Sequence, residues 1–356
     1  MIETAIKKYD IKDMRKILID FPRQVREAVS IGEAVICPID GTTIKNVVIS
    51  GLGGSAIGGD VLRAFTAESI KVPVAVNRHY YLPAYVDEST LVVVASYSGN
   101  TEETMSVYKD AVKRNAQILS ISSNGTLAKY SRRNEHALIT IPPGYPPRTA
   151  LGYSFFPVLL TMHALGLIPN PNREILETID ILKAGAVKYS TFTEEENPAL
   201  ALAHKLHGKL PVIYSAADRF DVVNLRWRGQ IAENAKVLAF GNVYPEMNHN
   251  ELVGWSQRFH DGKTIRKQMK DMAVVFLRDQ DDHKRIKLRM DLSRDIIGEC
   301  AGELIDVHSE GKSLLARMFS LIYLGDWVSY YLAILNYVDP TPVAVIDYLK
   351  TELEKV

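Results

Sequence analysis

Two short segments, Gly51-Leu52-Gly53-Gly54-Ser55 and Ser96-Tyr97-Ser98-Gly99-Asn100-Thr101, hold the residues best suited to chemistry in this 356-residue chain. Each follows a run of β-branched residues and precedes a helix-like stretch. That puts both loops at the carboxyl ends of neighbouring parallel strands, where open α/β sheets bind ligands. They offer backbone N–H groups, small hydroxyls and helix N-termini, and contain no lysine or arginine. Donors of this kind can surround the phosphate of a small-molecule ester without a formal positive charge. Tight strand-to-helix packing accounts for Gly58 and Gly59. It does not account for Ser55 or for the hydroxyls at Ser96, Ser98 and Thr101.

Two rival phosphate motifs fit less well. Gly51, Gly53 and Ala56 imitate a dinucleotide loop, which wants an acidic residue at the end of the next strand. Here that strand ends in Asn77-Arg78. An arginine there could serve NADP, so the cofactor reading is weakened but stays open. Gly311-Lys312-Ser313 ends like a nucleotide P-loop, but the glycine required at position 306 is Asp306, a chance match.

The elements that position these loops alternate. Strand-like runs at 47–50, 72–76, 91–95, 118–121 and 138–141 enclose helical stretches at 56–67, 102–114 and 125–132, the pattern of parallel βαβ units. An amphipathic helix over 10–35 leads in. The stiff segment Pro142-Pro143-Gly144-Tyr145-Pro146-Pro147 closes the pattern, and two helices follow at 151–166 and 172–190. A second, weaker copy begins at Asn197-Pro198, with strands at 212–215, 273–277 and 304–307. Its helices are expected at 218–235, 281–299 and 314–336, with a last short one after Asp339-Pro340-Thr341-Pro342. This copy lacks the hydroxyl-rich loops. The expected fold is therefore α/β, two parallel sheets each covered by helices. The expected segments are a helical lead-in at 1–40, a first domain at 41–165, a connector at 166–196 and a second domain at 197–356.

The 42 basic and 42 acidic residues cancel, leaving no field for nucleic acid or an anionic membrane. An anionic metabolite would have to be captured locally. Cys37 and Cys300 are too few for a disulfide framework, and no metal-binding cysteine motif exists. The first residues are charged and lack a signal-peptide core. No uninterrupted apolar run approaches a membrane span. The expectation is a soluble cytoplasmic protein without membrane or nucleic-acid partners.

The two loops resemble the hallmark of the sugar isomerase (SIS) domain. Glu233-Asn234-Ala235-Lys236 and Pro245-Glu246-Met247-Asn248-His249-Asn250-Glu251 are similar to the signature of one branch, the bifunctional phosphoglucose/phosphomannose isomerases. Pro146-Pro147-Arg148, Gly325-Asp326 and Asp339-Pro340-Thr341-Pro342-Val343 add to the likeness, which runs from about residue 45 to the C-terminus. The resemblance implies two SIS-type αβα sandwiches and a homodimer with active sites at its interface. It also implies aldose–ketose exchange between glucose 6-phosphate or mannose 6-phosphate and fructose 6-phosphate, with no metal or other cofactor. Carried over by position, Gly54, Ser55, Ser96, Ser98 and Thr101 would bind the substrate phosphate. Arg148 would lie near the reacting carbons, Glu233 would be the base, and His249, from the other subunit, would open the sugar ring.

These residue types suit that chemistry. Moving one proton between C1 and C2 through a cis-enediol needs a single base that reaches both carbons. Ring opening needs a group that gives and takes a proton near neutrality, as histidine does. An arginine fixed behind two prolines can stabilise enediolate charge. Glu246 and Glu251 could orient His249 or simply cap a helix. Some members of the family carry a lysine in the C-terminal helix. Here Tyr331 takes that place, as a hydrogen-bond donor to sugar oxygens or as plain core. His204, His207, His283 and His308 read as structural or surface residues; His79 and His260 are undecided. A sugar-phosphate sensor, or an isomerase for another phosphosugar, remains the alternative function.

Overall fold

The computed structural model describes residues 2–255, 268–353 and 355. The chain opens with α1 (Ile2–Tyr9), and the lead-in expected as one helix over 10–35 is two: α2 (Met14–Ile19) and α3 (Phe21–Glu33). The Asp10 carboxylate accepts from the N–H groups of Met14 and Arg15, at 2.6 and 2.9 Å, and so starts α2. Pro22, in the first turn of α3, has no N–H to give to a preceding turn and begins a new helix.

The chain divides into two compact units. One comprises Asp20–Asp180 with Ser313–Leu315; the other collects the chain up to Ile19, Ile181–Lys312 and everything from Ala316. In the first unit, β1 (Asn46–Ser50) leads through α4 (Gly54–Thr66) to β2 (Val74–Asn77). Then β3 (Thr90–Ala95), α5 (Glu102–Lys113), β4 (Gln117–Ser122), α6 (Gly125–Arg133) and β5 (Ala137–Thr140) follow, with α7 (Leu151–Ala164) last. The sheet is parallel throughout, in the order β2-β1-β3-β4-β5. Central β3 is buried at every position, which is why it reads as an unbroken apolar run rather than an alternating one. From β1 the chain crosses to β2 on one side and returns as β3 on the other. The β1/β3 boundary is therefore the topological switch point, the crevice where such sheets hold ligands. Ser50 pairs with Val94, so the two strands end level.

Helix α8 (Asn172–Tyr189) leads on to the second unit, where α9 (Pro198–Leu206) is capped by the Asn197 side chain accepting from Leu200 N at 3.0 Å. Its parallel sheet has the order β7-β6-β8-β9, formed by β6 (Leu210–Ala216), β7 (Phe240–Tyr244), β8 (Met272–Arg278) and β9 (Glu303–His308). The sequence pattern did not point to β7. It is an edge strand with Phe240 half in solvent and Gly241-Asn242 in its middle, so alternation and β-propensity are both weak. Gly241 is required by packing: a Cβ there would come within 2.2 Å of the Ile213 carbonyl oxygen. Between β6 and β7 runs α10 (Asp221–Gln230), continued by a π-helical turn, Ile231–Ala235.

Helix Leu314–Leu335 is long and apolar enough by length and composition to cross a membrane, although Arg317 and Asp326 interrupt its apolar run. Yet 89% of its most apolar window is buried inside the protein. Its Arg317 and Asp326 are both paired, to Asp279 at 2.8 Å and to Arg226 at 2.7 Å, as in a core helix.

Candidate active site

The loops after β1 and β3 meet at the switch point. Gly53, at φ 51° and ψ −124°, takes a backbone conformation open to glycine, and α4 starts directly after it. The Ser55 hydroxyl accepts from Tyr97 N at 3.1 Å, tying one loop to the other. Ser96 Oγ accepts from Gly99 N at 3.1 Å and lies 2.9 Å from Thr101 Oγ1. Ser98 Oγ accepts from Asn100 N at 3.3 Å. A hydroxyl has one proton and two lone pairs. Because the loop's own N–H groups occupy lone pairs on Ser55, Ser96 and Ser98, the O–H protons are what these loops can aim at a ligand. Ser96 itself is buried, so in this geometry it orients Thr101. Thr101 is the N-cap of α5 but makes no capping bond, which leaves the first-turn N–H groups of that helix for another acceptor. Gly54, Ser55, Ser96 and Tyr97 of these loops line a cleft with Pro147, Ala150 and Ser154, and none of its lining residues is charged.

The segment that carries Arg148 packs its backbone against the start of α4, and Pro147 lines the cleft. A Cβ on Gly54 would lie 2.6 Å from the Pro147 carbonyl and 2.8 Å from Arg148 N, so only glycine lets that segment rest on the start of α4. The segment is held from other sides too. The Tyr97 hydroxyl donates to Pro142 O and accepts from Tyr145 N, each at 2.9 Å. Buried Gln24 donates to Thr149 O and accepts from Gly152 N, each at 3.0 Å. Arg148 is itself buried. Arg78, on which an NADP site would depend, is paired with the Asp60 carboxylate of α4.

Glu233, His249 and Tyr331 belong to the other unit. Glu233 is half-buried on the π-helical turn, not on a regular helix end as expected. π-turns of this kind recur at functional sites. The turn is anchored by a ladder of side chains four apart. Arg226 makes two bonds to Asp326, at 3.0 and 2.7 Å, and Gln230 adds a third at 2.8 Å. Asn234 donates to Ser329 Oγ at 2.9 Å. The Arg226–Asp326 pair is almost fully buried, so each partner needs the other. Next to it Trp227 donates to Leu321 O at 2.8 Å, its ring filling the space left by Gly325.

His249 ends a short turn, Glu246–His249, just after the carboxyl end of β7, and is exposed. Its neighbours fasten the turn. Asn248 donates to Ser293 Oγ at 2.9 Å, and the Glu251 carboxylate accepts from the Tyr214 hydroxyl and, at 2.8 Å, from Asn242 Nδ2. Glu246 accepts from Asn250 at 2.8 Å. Both carboxylates thus brace the loop. Glu233 precedes β7 and His249 follows it, so the two flank opposite ends of a strand about 17 Å long.

Tyr331 is fully buried. Its hydroxyl donates to Tyr189 O at 2.7 Å and accepts from Asn197 Nδ2 at 3.0 Å, and burial pushes its pKa up to about 12. Of the other histidines, His204 lies 3.6 Å from Glu194, and His283 caps a helix by accepting from Arg285 N. His79 meets Tyr80 edge-on and Tyr81 at a tilt; His260 lies outside the described residues. Sequence reasoning missed Gln24, Tyr97, Arg226 and Asn242 as supports. Only a glycine inside the long helix, Gly325, hinted at a close neighbour there.

The comparisons agree on both halves. The SIS domain model matches residues 42–166, and the model of the bacterial phospho-glucose isomerase C-terminal SIS domain matches 195–353. A bifunctional phosphoglucose/phosphomannose isomerase of Caldicellulosiruptor bescii is 46% identical over 95% of this chain and 98% of its own length. One of Aquifex aeolicus is 34% identical over 89% and 92%. Among solved structures, a hypothetical protein of Thermus thermophilus shares the fold, with a TM-score of 0.76 at 15% identity over 99% of this chain and 93% of that one. The hydroxyl-lined switch point and likeness along nearly the whole length lead to one conclusion: this chain belongs to the bifunctional phosphoglucose/phosphomannose isomerase family.

Proposed function

We propose that the protein interconverts glucose 6-phosphate and mannose 6-phosphate with fructose 6-phosphate through a cis-enediol, without a metal. The observation that carries this reading is the uncharged cup at the β1/β3 switch point with the Arg148 segment seated against its glycine. Gly54, Ser55, Ser98 and Thr101 donate to the phosphate, and Ser96 orients Thr101. His249 gives a proton to the ring oxygen and removes one from the C1 hydroxyl, so the pyranose opens. The Glu233 carboxylate then takes the proton from C2 of the aldose. As the enediol forms, the Arg148 guanidinium meets the charge growing on the oxygens at C1 and C2, which lowers the barrier electrostatically. In the enediol a proton passes from the C2 hydroxyl to the oxygen on C1, and return of the first proton from Glu233 to C1 then gives the ketose. Rotation about C2–C3 in the open chain lets one base serve both epimers.

In this reading Tyr331 is a support, since its hydroxyl bonds main chain and Asn197. The placement of Glu233 and His249 at opposite ends of β7 favours a site completed by the histidine of a second copy. The test is a coupled assay of the purified chain with fructose 6-phosphate, with and without a chelator. Both aldose phosphates should form at rates the chelator leaves unchanged. Formation of neither would refute the isomerase reading, and a rate lost to the chelator would refute metal independence.

A further inference from the structure

The π-helical turn ends on Lys236, an exposed residue in the left-handed region at φ 60° and ψ 33°. Lysine lacks the short polar side chain that lets asparagine or aspartate adopt this conformation, so its surroundings must hold it there. Its ammonium donates to the main-chain carbonyl of Glu233, to Pro342 O at 2.7 Å and, more loosely, to Pro340 O at 3.5 Å. The carboxyl end of a helix carries unsatisfied carbonyls and partial negative charge, so a cation belongs there. The segment that receives it is stiff: Pro340 and Pro342 fix their own φ angles, and the Asp339 carboxylate accepts from Thr341 N at 2.8 Å. On the inner side, Asn234 holds Ser329, and Asn336 donates to the carbonyl of Ala235 at 3.1 Å. Glu233 is thus flanked by an inward anchor on one neighbour and a clamp on its own carbonyl.

We infer that Lys236 is a positioning residue for Glu233: its ammonium ties the turn bearing the carboxylate to the 339–342 segment and fixes where that carboxylate points. This rests on the reading of Glu233 as the proton-transfer base. An error of about 1 Å in placing a reacting group costs about a hundredfold in rate. The clamp therefore acts on kcat, with little effect on capture of the phosphate by the other unit's loops.

Three variants test it, all in the full chain. Lys236→Met keeps the stem and removes the ammonium. Lys236→Gly also removes the backbone strain. Lys236→Cys, treated with 2-bromoethylamine, restores an ammonium on a stem of lysine length. Wild type is treated in parallel because Cys37 is partly accessible. Lys236→Met and Lys236→Gly should each lose about 10- to 100-fold in kcat with KM for fructose 6-phosphate within about twofold of wild type. Lys236→Gly should keep its melting temperature, and aminoethylation should restore most of the rate. An unchanged kcat in Lys236→Met, beside an inactive Glu233→Gln, would overturn the inference and leave the base assignment standing. A loss in Lys236→Met that Lys236→Gly recovers would show a purely structural part and overturn it as well. Activity surviving in Glu233→Gln would overturn the base assignment, and this inference with it.

Discussion

Adding one methyl group at Gly54 tests how the cleft is assembled. In Gly54→Ala the new carbon would lie 2.6 Å from the carbonyl carbon and oxygen of Pro147 and 2.8 Å from Arg148 N. All three are main-chain atoms, so no side-chain rotation relieves the overlap. Reaching ordinary contact at 3.4 Å moves the 147–148 segment by about 0.8 Å. Gln24 and the Tyr97 hydroxyl restrain that segment elsewhere, so the displacement is passed to Arg148 rather than spread along the loop. A shift of that size at a group stabilising the transition state should lower kcat/KM by about 10- to 100-fold, roughly 1.4 to 2.8 kcal/mol. Stability should fall as well, by about 1 to 3 kcal/mol, because forcing restrained main-chain atoms apart is a form of overpacking. The measurement pairs steady-state kinetics on fructose 6-phosphate with a thermal melt. A kcat/KM within about twofold of wild type would refute the account of how Arg148 is placed.

Glu233→Gln and His249→Ala should each be inactive alone. Mixed and allowed to exchange chains, they should regain about a quarter of wild-type activity if each site draws on two copies; no recovery would put both groups in one chain's site. Ser98→Ala with Thr101→Ala should raise KM for fructose 6-phosphate by about 10- to 100-fold through lost donors to an anion, and an unchanged KM would move the phosphate elsewhere. Burial, reinforced by the charge of Asp279, pushes the Asp282 carboxyl up to about 6. The native state then binds that proton more tightly than the unfolded chain. This contribution is complete below about pH 4 and is lost as pH rises to about 6. Asp282→Asn, which can still accept from Asp279 N, should therefore gain on wild type across that window by up to about 3 kcal/mol and stay level above it. Denaturant titrations at several pH values would refute this if the difference were constant.

What the sequence made legible was local. The glycine and hydroxyl loops are contiguous, and strand–helix alternation is a short-range pattern, so the cup and the two-sheet fold were readable from it. The strand β7 was not, because an edge strand with Gly241 and Asn242 shows no period-two face. The break between α2 and α3 hid behind continuous helical periodicity, although Pro22 marks it. The π-turn under Glu233 is set by the partners of Arg226, Gln230 and Asn234 about a hundred residues away, and such pairings leave no trace in spacing. Tyr331 could be read from sequence as donor or core alike. Its bonds to Tyr189 and Asn197 come from the fold alone.

The ladder beneath Glu233 also limits how this stretch of chain can change over time. Arg226, Gln230 and Asn234 all meet one face of helix Leu314–Leu335, with Trp227 seated in the notch at Gly325. A one-residue insertion or deletion among them would swing the groups beyond it by about 100° around the helix axis, away from Asp326 or Ser329. Replacements on the outer side, at Leu225 or Ala232, fall on exposed positions. The segment works as a ruler of fixed length, tolerant of new letters on one side and intolerant of a gap anywhere along it.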